Sequence, residues 1–311
     1  MAHTHAHHHH GHAHTHAPSA DADRRWLRIA LGLILSFMLV EVAAGVLAGS
    51  LALLSDAAHM LTDAGSIGLA LVAARLASEP ARGAFTFGLG RAEILSAQLN
   101  GALLLVLAAI IGWEAAHRLA NPPAIDGGVV VAVGATGALV NVAAAWALSR
   151  AERRSLNVEG ARAHVLADLY GSVAAVTAGL AVLLWGFDEA DGIAALVVAA
   201  IMLRSGLSLV VEAGRILLEG APRGIRPREV GEAMAAHPGV EEVHDLHVWE
   251  VTSGFPALSA HVLVPPGDDC HERRRELEAL LRDRFEIAHT TLQVEHRHAD
   301  ELLQIRRAPA R

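Results

Sequence analysis

The stretch SDAAHMLTDAG, residues 55–65, places Asp56, His59 and Asp63 inside a long apolar segment. Charged groups at membrane depth are energetically costly and usually have a function. The stretch AHVLAD, residues 163–168, repeats part of this pattern, because His164 and Asp168 have the same order and spacing as His59 and Asp63. The repeated His-x-x-x-Asp pair therefore restricts both the fold and the chemistry that this sequence can support.

The overall composition indicates a membrane protein. Hydrophobic residues make up 53% of the 311 residues, above the roughly 45–50% of a soluble domain. The net charge of −8 argues against a nucleic-acid partner. The single cysteine, Cys270, excludes an internal disulfide and a cysteine-based zinc cluster. No cleavable signal peptide is expected, because the first apolar run is too long for one.

Six apolar segments have about the length that a helix needs to cross a hydrocarbon core. They are residues 26–47, 51–71, 95–113, 129–148, 171–187 and 193–211. Arginine residues precede the first segment, follow the sixth, and occupy the connections between the second and third and between the fourth and fifth. The opposite connections, AGS, NPPAIDGG and GFDEADG, contain no arginine. The positive-inside rule therefore places both termini in the cytoplasm.

The two ends of the chain differ from this membrane domain, which we assign to residues 26–215. Residues 1–25 form a low-complexity tail with nine of the twenty histidines; it is predicted to be disordered without metal. We favour a metal-sequestering tail over a purification tag. Residues 216–311 are predicted to form a ferredoxin-like α+β domain with the order helix, strand, strand, helix, strand. The predicted turn between the first two strands is Gly254-Phe255-Pro256, and the second helix has an apolar face of Leu277, Leu280, Leu281 and Phe285.

The paired residues suggest a metal site. Residues four apart share one face of a helix, so His59 lies over Asp63 and His164 over Asp168. If the two faces meet, two imidazole nitrogens and two carboxylate oxygens form a tetrahedral set that suits Zn²⁺. One such pair alone is equally compatible with a hydrogen bond that joins helices. Two pairs with the same spacing favour the metal site.

The charge of this site indicates how a metal would be exchanged. Two carboxylates with two neutral imidazoles carry a charge of −2, which a divalent cation neutralises. When the metal leaves, protons can bind the same atoms, and this competition is the basis of an antiporter. Asp56 is a supporting partner, a proton carrier or a cap. We assign no ligand role to the polar residues elsewhere in the segments, Glu41, Gln98, Asn100 and Asn141.

Several motifs together resemble the cation diffusion facilitator family of proton-coupled zinc exporters. They are GSLALLSDAAHMLTDAGS, FTFGLGRAEILSAQLNG, ARAHVLADLYGSV, VHDLHVWEVTSG, LSAHVLV and HTTLQVE. The resemblance implies six transmembrane helices, a ferredoxin-like cytoplasmic domain, a homodimer and alternating access. It places the transport site on His59, Asp63, His164 and Asp168, and pairs that begin with histidine go with a zinc preference. It also suggests that His247, His261 and Glu295 are regulatory ligands at the dimer interface. Alternatively, His247 and His261 are ordinary surface residues.

We therefore expect a Zn²⁺-out, H⁺-in antiporter of the bacterial inner membrane rather than an enzyme. Its predicted partners are divalent metal ions, protons, the lipid bilayer and a second copy of the chain. One alternative is an intramembrane metalloenzyme, although such a site keeps an open coordination position and a general base. A second alternative is a membrane-anchored zinc sensor, for which six segments with polar interiors are more than an anchor needs.

Overall fold

The computed structural model describes residues 20–48, 51–120, 127–151, 155–187 and 189–296. The side chains of residues 20–23, 41, 44–48, 51–59, 62 and 129 lie outside the described part. The histidines of the tail therefore fall outside it, as do the side chains of Glu41, Asp56 and His59.

The described residues begin with six long helices. They are α1 (Ala20–Ala48), α2 (Leu51–Ala77), α3 (Arg91–Ala120), α4 (Gly127–Ser149), α5 (Leu156–Trp185) and α6 (Glu189–Leu217). Within the described residues, four helices, α3 to α6, are long and apolar enough to cross a membrane. The predicted helical membrane region is confirmed.

Helix α5 is longer than the fifth apolar segment predicts, because it begins at Leu156 rather than near residue 171. The hydropathy pattern breaks at His164 and Asp168, but both residues belong to the continuous helix. The hydroxyl of Ser155 caps the helix by accepting the backbone N–H of Val158. The prediction was too short because hydropathy counts a buried polar residue as an interruption, even where neighbouring helices supply its partners.

Two groups of helices form the membrane region. Helices α1, α2, α4 and α5 share one apolar cluster that includes Leu27, Ile67 and Val165. Helices α3 and α6 pack along each other, and a second cluster joins them to α5 through Leu104, Ala167 and Met202. Helix α5 therefore belongs to the first group and also packs against α3 and α6.

The C-terminal region has the predicted order of elements. It comprises α7 (Pro227–Ala235), β1 (Glu242–Thr252), β2 (Phe255–Val264), α8 (Cys270–Phe285) and β3 (His289–His296). Strand β2 lies in the centre of the sheet, antiparallel to β1 and parallel to β3. Leu277 and Leu281 of α8 are fully buried in this domain's core. The predicted small α+β fold is confirmed.

The predicted turn at residues 254–256 was wrong for Phe255 and Pro256, which belong to β2. Thr252 pairs with Phe255, so the turn consists of Ser253 and Gly254 alone. Gly254 has a φ of +74°, which glycine adopts without the steric cost of a side chain. The pairing of β1 with β2 shifts by one residue between Glu250 and Thr252, just before the turn.

Asp269 caps α8, and its contribution should depend on pH. Its carboxylate accepts the backbone N–H groups of Glu272 and His271, and these bonds lower the pKa of Asp269 below its ordinary 3.8. Because the folded-state pKa is lowered, the stabilisation is present above pH 3.8 and is lost as the pH falls through the folded value. We expect Asp269→Ala to speed amide exchange of the first turn of α8 equally at pH 7 and pH 5.

Exchange measured by mass spectrometry on the full chain tests this prediction, with Asp269→Asn as the control, because asparagine is an equally good cap. Equal protection in the wild type and Asp269→Ala at pH 7 would contradict a capping role.

Candidate metal centre

Asp63 of α2 and His164 and Asp168 of α5 meet inside the helix bundle. The His164 Nε2 atom lies 2.9 Å from Asp63 Oδ1 and 4.0 Å from Asp168 Oδ2. The side chains of His164, Asp63 and Asp168 are 1%, 7% and 14% exposed. Two carboxylates and an imidazole thus converge where the surrounding residues are mostly apolar.

The helical structure of α5 explains why His164 and Asp168 are close together. His164 and Asp168 are one turn apart on a continuous helix, so both side chains lie on the same face. Packing of α2 against α5 then places Asp63 opposite this face. The Nε2 atom of His164 hydrogen-bonds to Asp63, which gives each group a polar partner in a region where an isolated charge would be strongly destabilising. The Nδ1 atom of His164 is buried and has no hydrogen-bond partner within the described residues.

This group has the composition and the compactness of a metal site. One possible ligand atom from each of the three residues lies within 4.8 Å of the others, and within the described residues no other group of His, Cys, Asp and Glu meets this criterion. Ligands of a tetrahedral zinc ion lie roughly 3.4 Å apart, for bonds of about 2.1 Å. Small side-chain movements would bring these atoms to that spacing.

Three of the four residues predicted for the transport site are therefore brought together. His59 is on α2, one turn before Asp63, but its side chain lies outside the described residues. Its role as the fourth ligand stays a prediction. Asp56 lies a further turn away on the same helix and also remains untested.

A cavity of about 450 Å³ reaches this cluster from one side. It touches Asp63 and Asp168 and extends along α4 past Asn141 to Val133 and Val130, near the start of that helix. Asn141, a polar residue noted from the sequence, therefore lines the space next to the cluster. The start of α4 is on this side, and the positive-inside rule predicts that this end of the helix lies away from the cytoplasm.

A layer of buried polar side chains lies on the opposite side of the cluster. Ser66 of α2 donates a hydrogen bond to the Asn100 Oδ1 atom of α3, at 3.2 Å. Asn157 of α5 donates to the Ala70 carbonyl oxygen, at 2.7 Å. Asn100 and Asn157 are both fully buried. These bonds tie α2, α3 and α5 together between the cluster and the predicted cytoplasmic side.

Sequence reasoning noted Asn100 in this layer but missed Ser66 and Asn157. Ser66 is three residues after Asp63, so the helical period that pairs His59 with Asp63 also brings Ser66 near that face. Asn157 was missed because it lies outside the fifth apolar segment as the sequence predicts it. The cap signal at Ser155 would have extended the helix far enough to include it.

In the C-terminal domain, His247 and His261 lie on the exposed face of the sheet. The His247 Nε2 atom is 3.0 Å from Asp245 Oδ1, and His261 Nε2 is 3.9 Å from Asp245 Oδ2. Glu295 is on β3 opposite Leu263 and accepts a hydrogen bond from Gln293. Asp245, which the sequence did not single out, links the two histidines. The predicted set of His247, His261 and Glu295 stays a prediction, since a dimer interface needs a second chain.

Comparison with known proteins agrees with this architecture. A family model of the cation efflux transmembrane domain matches residues 27–218, and one of the cation efflux protein cytoplasmic domain matches residues 222–297. Apolar helices joined to a small α+β domain, with both parts matched, define an integral membrane transporter for cations.

Three characterised relatives match nearly the whole chain. A cadmium, cobalt and zinc/H(+)-K(+) antiporter of Bacillus subtilis is 36% identical and covers 91% of this chain and 93% of its own. The zinc transporter ZitB of Shigella flexneri is 39% identical over 88% of each chain. The metal cation efflux system protein CzcD of Cupriavidus metallidurans is 38% identical over 88% of this chain and 87% of its own. The chain therefore belongs to the cation diffusion facilitator family of cation efflux transporters.

Membership of this family excludes one alternative function that the sequence had left open. The family consists of transporters, so the protein is a cation efflux transporter and not an intramembrane metalloenzyme.

Proposed function

We propose that this protein exports Zn²⁺ in exchange for protons through the Asp63, His164 and Asp168 cluster, with His59 as the fourth ligand. The observation that carries the proposal is the convergence of three possible ligand atoms in a buried group. The names of the relatives, two of which refer to zinc, support zinc as the substrate.

Protons and metal would compete at this site for the same atoms. The His164 Nε2 atom that shares a proton with Asp63 is also the nitrogen that faces both carboxylates. A metal ion bound there must displace that proton, because a ligand imidazole offers a lone pair at the same position. The charge balance allows up to two protons for each divalent ion. The antiporter name of the Bacillus subtilis relative agrees with this coupling.

The arrangement of the cavity suggests which way the site faces. The cavity along α4 leads from the cluster toward the start of that helix, while the Ser66, Asn100 and Asn157 layer separates the cluster from the arginine-rich side. We infer that this is the arrangement open to the outside of a bacterial inner membrane, with both termini in the cytoplasm. Cytoplasmic zinc would then reach the site after α5 moves away from α2 and α3 at this layer.

The cytoplasmic domain would join two chains and bind metal at their interface. A partner chain would complete the coordination of a metal ion at the exposed His247, His261 and Glu295. A homodimer with regulatory metal is the role that we propose for this domain. It also accounts for features that suggested a zinc sensor, without requiring the membrane helices to be only an anchor.

A proton gradient should drive zinc accumulation in inverted membrane vesicles. With the membrane potential clamped, we expect an acidic lumen to raise zinc accumulation by about tenfold per pH unit for each proton exchanged. Zinc uptake is measured at several imposed gradients and compared with uptake of Cd²⁺, Co²⁺, Fe²⁺ and Mn²⁺. Vesicles treated with a protonophore are the control. Zinc accumulation that is independent of the imposed gradient would rule out proton coupling.

A further inference from the structure

The hairpin between β1 and β2 reaches from the cytoplasmic domain to the ends of the membrane helices. We call residues 252–254 the hairpin tip. The Thr252 hydroxyl donates to the Gly90 carbonyl oxygen at 3.0 Å, just before α3. Beside it, Arg91 Nε donates to the Val251 carbonyl oxygen at 3.2 Å. The hairpin tip is therefore bound to the first residues of α3.

The hairpin tip also contacts α5. The Ser253 hydroxyl accepts the backbone N–H of Leu156, at 3.2 Å. Leu156 is the first residue of α5, and the first N–H groups of a helix have no partner within the helix. Ser155 satisfies the N–H of Val158 and Ser253 satisfies that of Leu156, so the cytoplasmic domain supplies part of the cap of α5.

The contact between Ser253 and Leu156 is on the same helix as two residues of the proposed transport site. His164 lies eight residues after Leu156 on the same helix, about 12 Å along its axis. Asn157, which closes the site toward the cytoplasm by bonding to Ala70, directly follows Leu156. Any movement of α5 that opens this polar layer displaces the residue that Ser253 holds.

Further contacts fix the position of the hairpin tip. The Gly254 N–H donates to the Glu250 carboxylate at 2.6 Å, and Glu250 is largely buried. At the side of the hairpin, the His289 ring lies edge-to-face against Phe255 and against Phe87 of the α2–α3 connection. A side chain added at Gly90 would lie 3.2 Å from Thr252, so α3 and the hairpin approach closely.

We propose that the hairpin tip is a latch that holds the cytoplasmic end of α5 beside α3 while the site is closed to the cytoplasm. Ser253 is then a positioning residue, which acts on His164 and Asp168 through the N-terminus of α5. This inference rests on the proposed transport function. It assigns to the cytoplasmic domain a direct contact with the helix that carries half of the metal site.

Loss of the latch should change both kinetic constants of transport. Without the Ser253 hydroxyl, the cytoplasm-open arrangement becomes more populated, so cytoplasmic zinc binds more readily. The return to the arrangement that is closed to the cytoplasm becomes slower, because the lost hydrogen bond no longer stabilises that arrangement. We expect Ser253→Ala to lower the apparent KM for zinc and the maximal rate together, each by about two- to tenfold, the effect of one hydrogen bond. A structural defect would lower the maximal rate alone.

Two variants control this kinetic test in reconstituted vesicles. Ser253→Thr keeps a hydroxyl and should restore wild-type values. Ser149→Ala removes a serine at the cytoplasmic end of α4 whose hydroxyl donates to the Trp146 carbonyl oxygen of its own helix, and it should have no effect. Amide exchange in the first two turns of α5 should rise in Ser253→Ala alone. Unchanged kinetics and exchange in Ser253→Ala, with an active wild type, would overturn the latch; a wild type without zinc transport would overturn the proposed function instead.

A reversible cross-link tests whether the contact must break. Cys270 is the only native cysteine, so Cys270→Ser provides a cysteine-free background. In that background we expect the pair Leu156→Cys and Ser253→Cys to form a disulfide that stops zinc transport, and reduction should restore it. Each single cysteine should leave transport insensitive to oxidation. Unchanged transport after complete disulfide formation, verified by mass spectrometry, would show that α5 and the hairpin tip move as one body, contrary to the latch.

Discussion

Replacing Asp63 with asparagine is expected to reduce zinc transport by at least about a hundredfold. Loss of a residue that only supports a metal ligand already costs about 10- to 100-fold in affinity or activity, and Asp63 is itself a proposed ligand. Asparagine has the same shape and can still accept a hydrogen bond from His164, which lies 2.9 Å away. The variant should therefore fold while the site loses one negative charge. Asp168→Asn should have the same effect, because it removes the other carboxylate.

Zinc flux in reconstituted vesicles and zinc binding by calorimetry measure this loss. Asp191→Asn is the matched control, since Asp191 lies on α6 away from the cluster and pairs with Arg118 at 2.8 Å. It should retain near wild-type flux. Elution of each variant as a single species on size exclusion confirms that it folds. Near wild-type zinc flux in Asp63→Asn would refute the assignment of this site.

Replacing Gly206 with valine is expected to separate α3 from α6 and to destabilise the whole membrane region. A Cβ atom at Gly206 would lie 2.9 Å from the Gly101 carbonyl oxygen and 3.0 Å from the Leu105 side chain. Small residues allow membrane helices to approach closely and to gain van der Waals contact. Overpacking of this kind typically costs about 1–3 kcal/mol, and the Gly101 carbonyl, as backbone, cannot rotate away.

Gly214→Val is the control for this prediction, because it makes the same change on the same helix. A Cβ atom at Gly214 meets nothing within 4 Å. Thermal unfolding in detergent should show a lower midpoint for Gly206→Val than for the wild type, and little change for Gly214→Val. Transport should fall only in the first variant. Equal midpoints for the two variants would mean that the close contact between α3 and α6 does not contribute to stability.

The sequence by itself determined the architecture and most of the candidate site. Apolar segments of membrane-spanning length require helices, because a helix satisfies every backbone polar group within one segment. The fixed spacing of His164 and Asp168 places them on one helical face, whatever surrounds the helix. The order of helices and strands after residue 216 followed in the same way from local periodicity.

Only the tertiary structure decided which residues meet. That Asp63 faces His164, and that Ser66, Asn100 and Asn157 close one side of the cluster, depends on how α2, α3 and α5 pack. Local periodicity has no information on that packing.

The sheet of the cytoplasmic domain illustrates the same limit. His244 and His247 would lie on opposite faces of a regular strand, since side chains alternate. A register shift between them, with Asp245 at a φ of +51°, instead pairs His244 with His261 and His247 with Ser259 on one face. Bulges of this kind arise from pairing with the neighbouring strand, so a pattern along one strand does not predict them. The contact of Ser253 with Leu156 likewise joins residues far apart in the chain, and the chain brings them together only when both domains are folded.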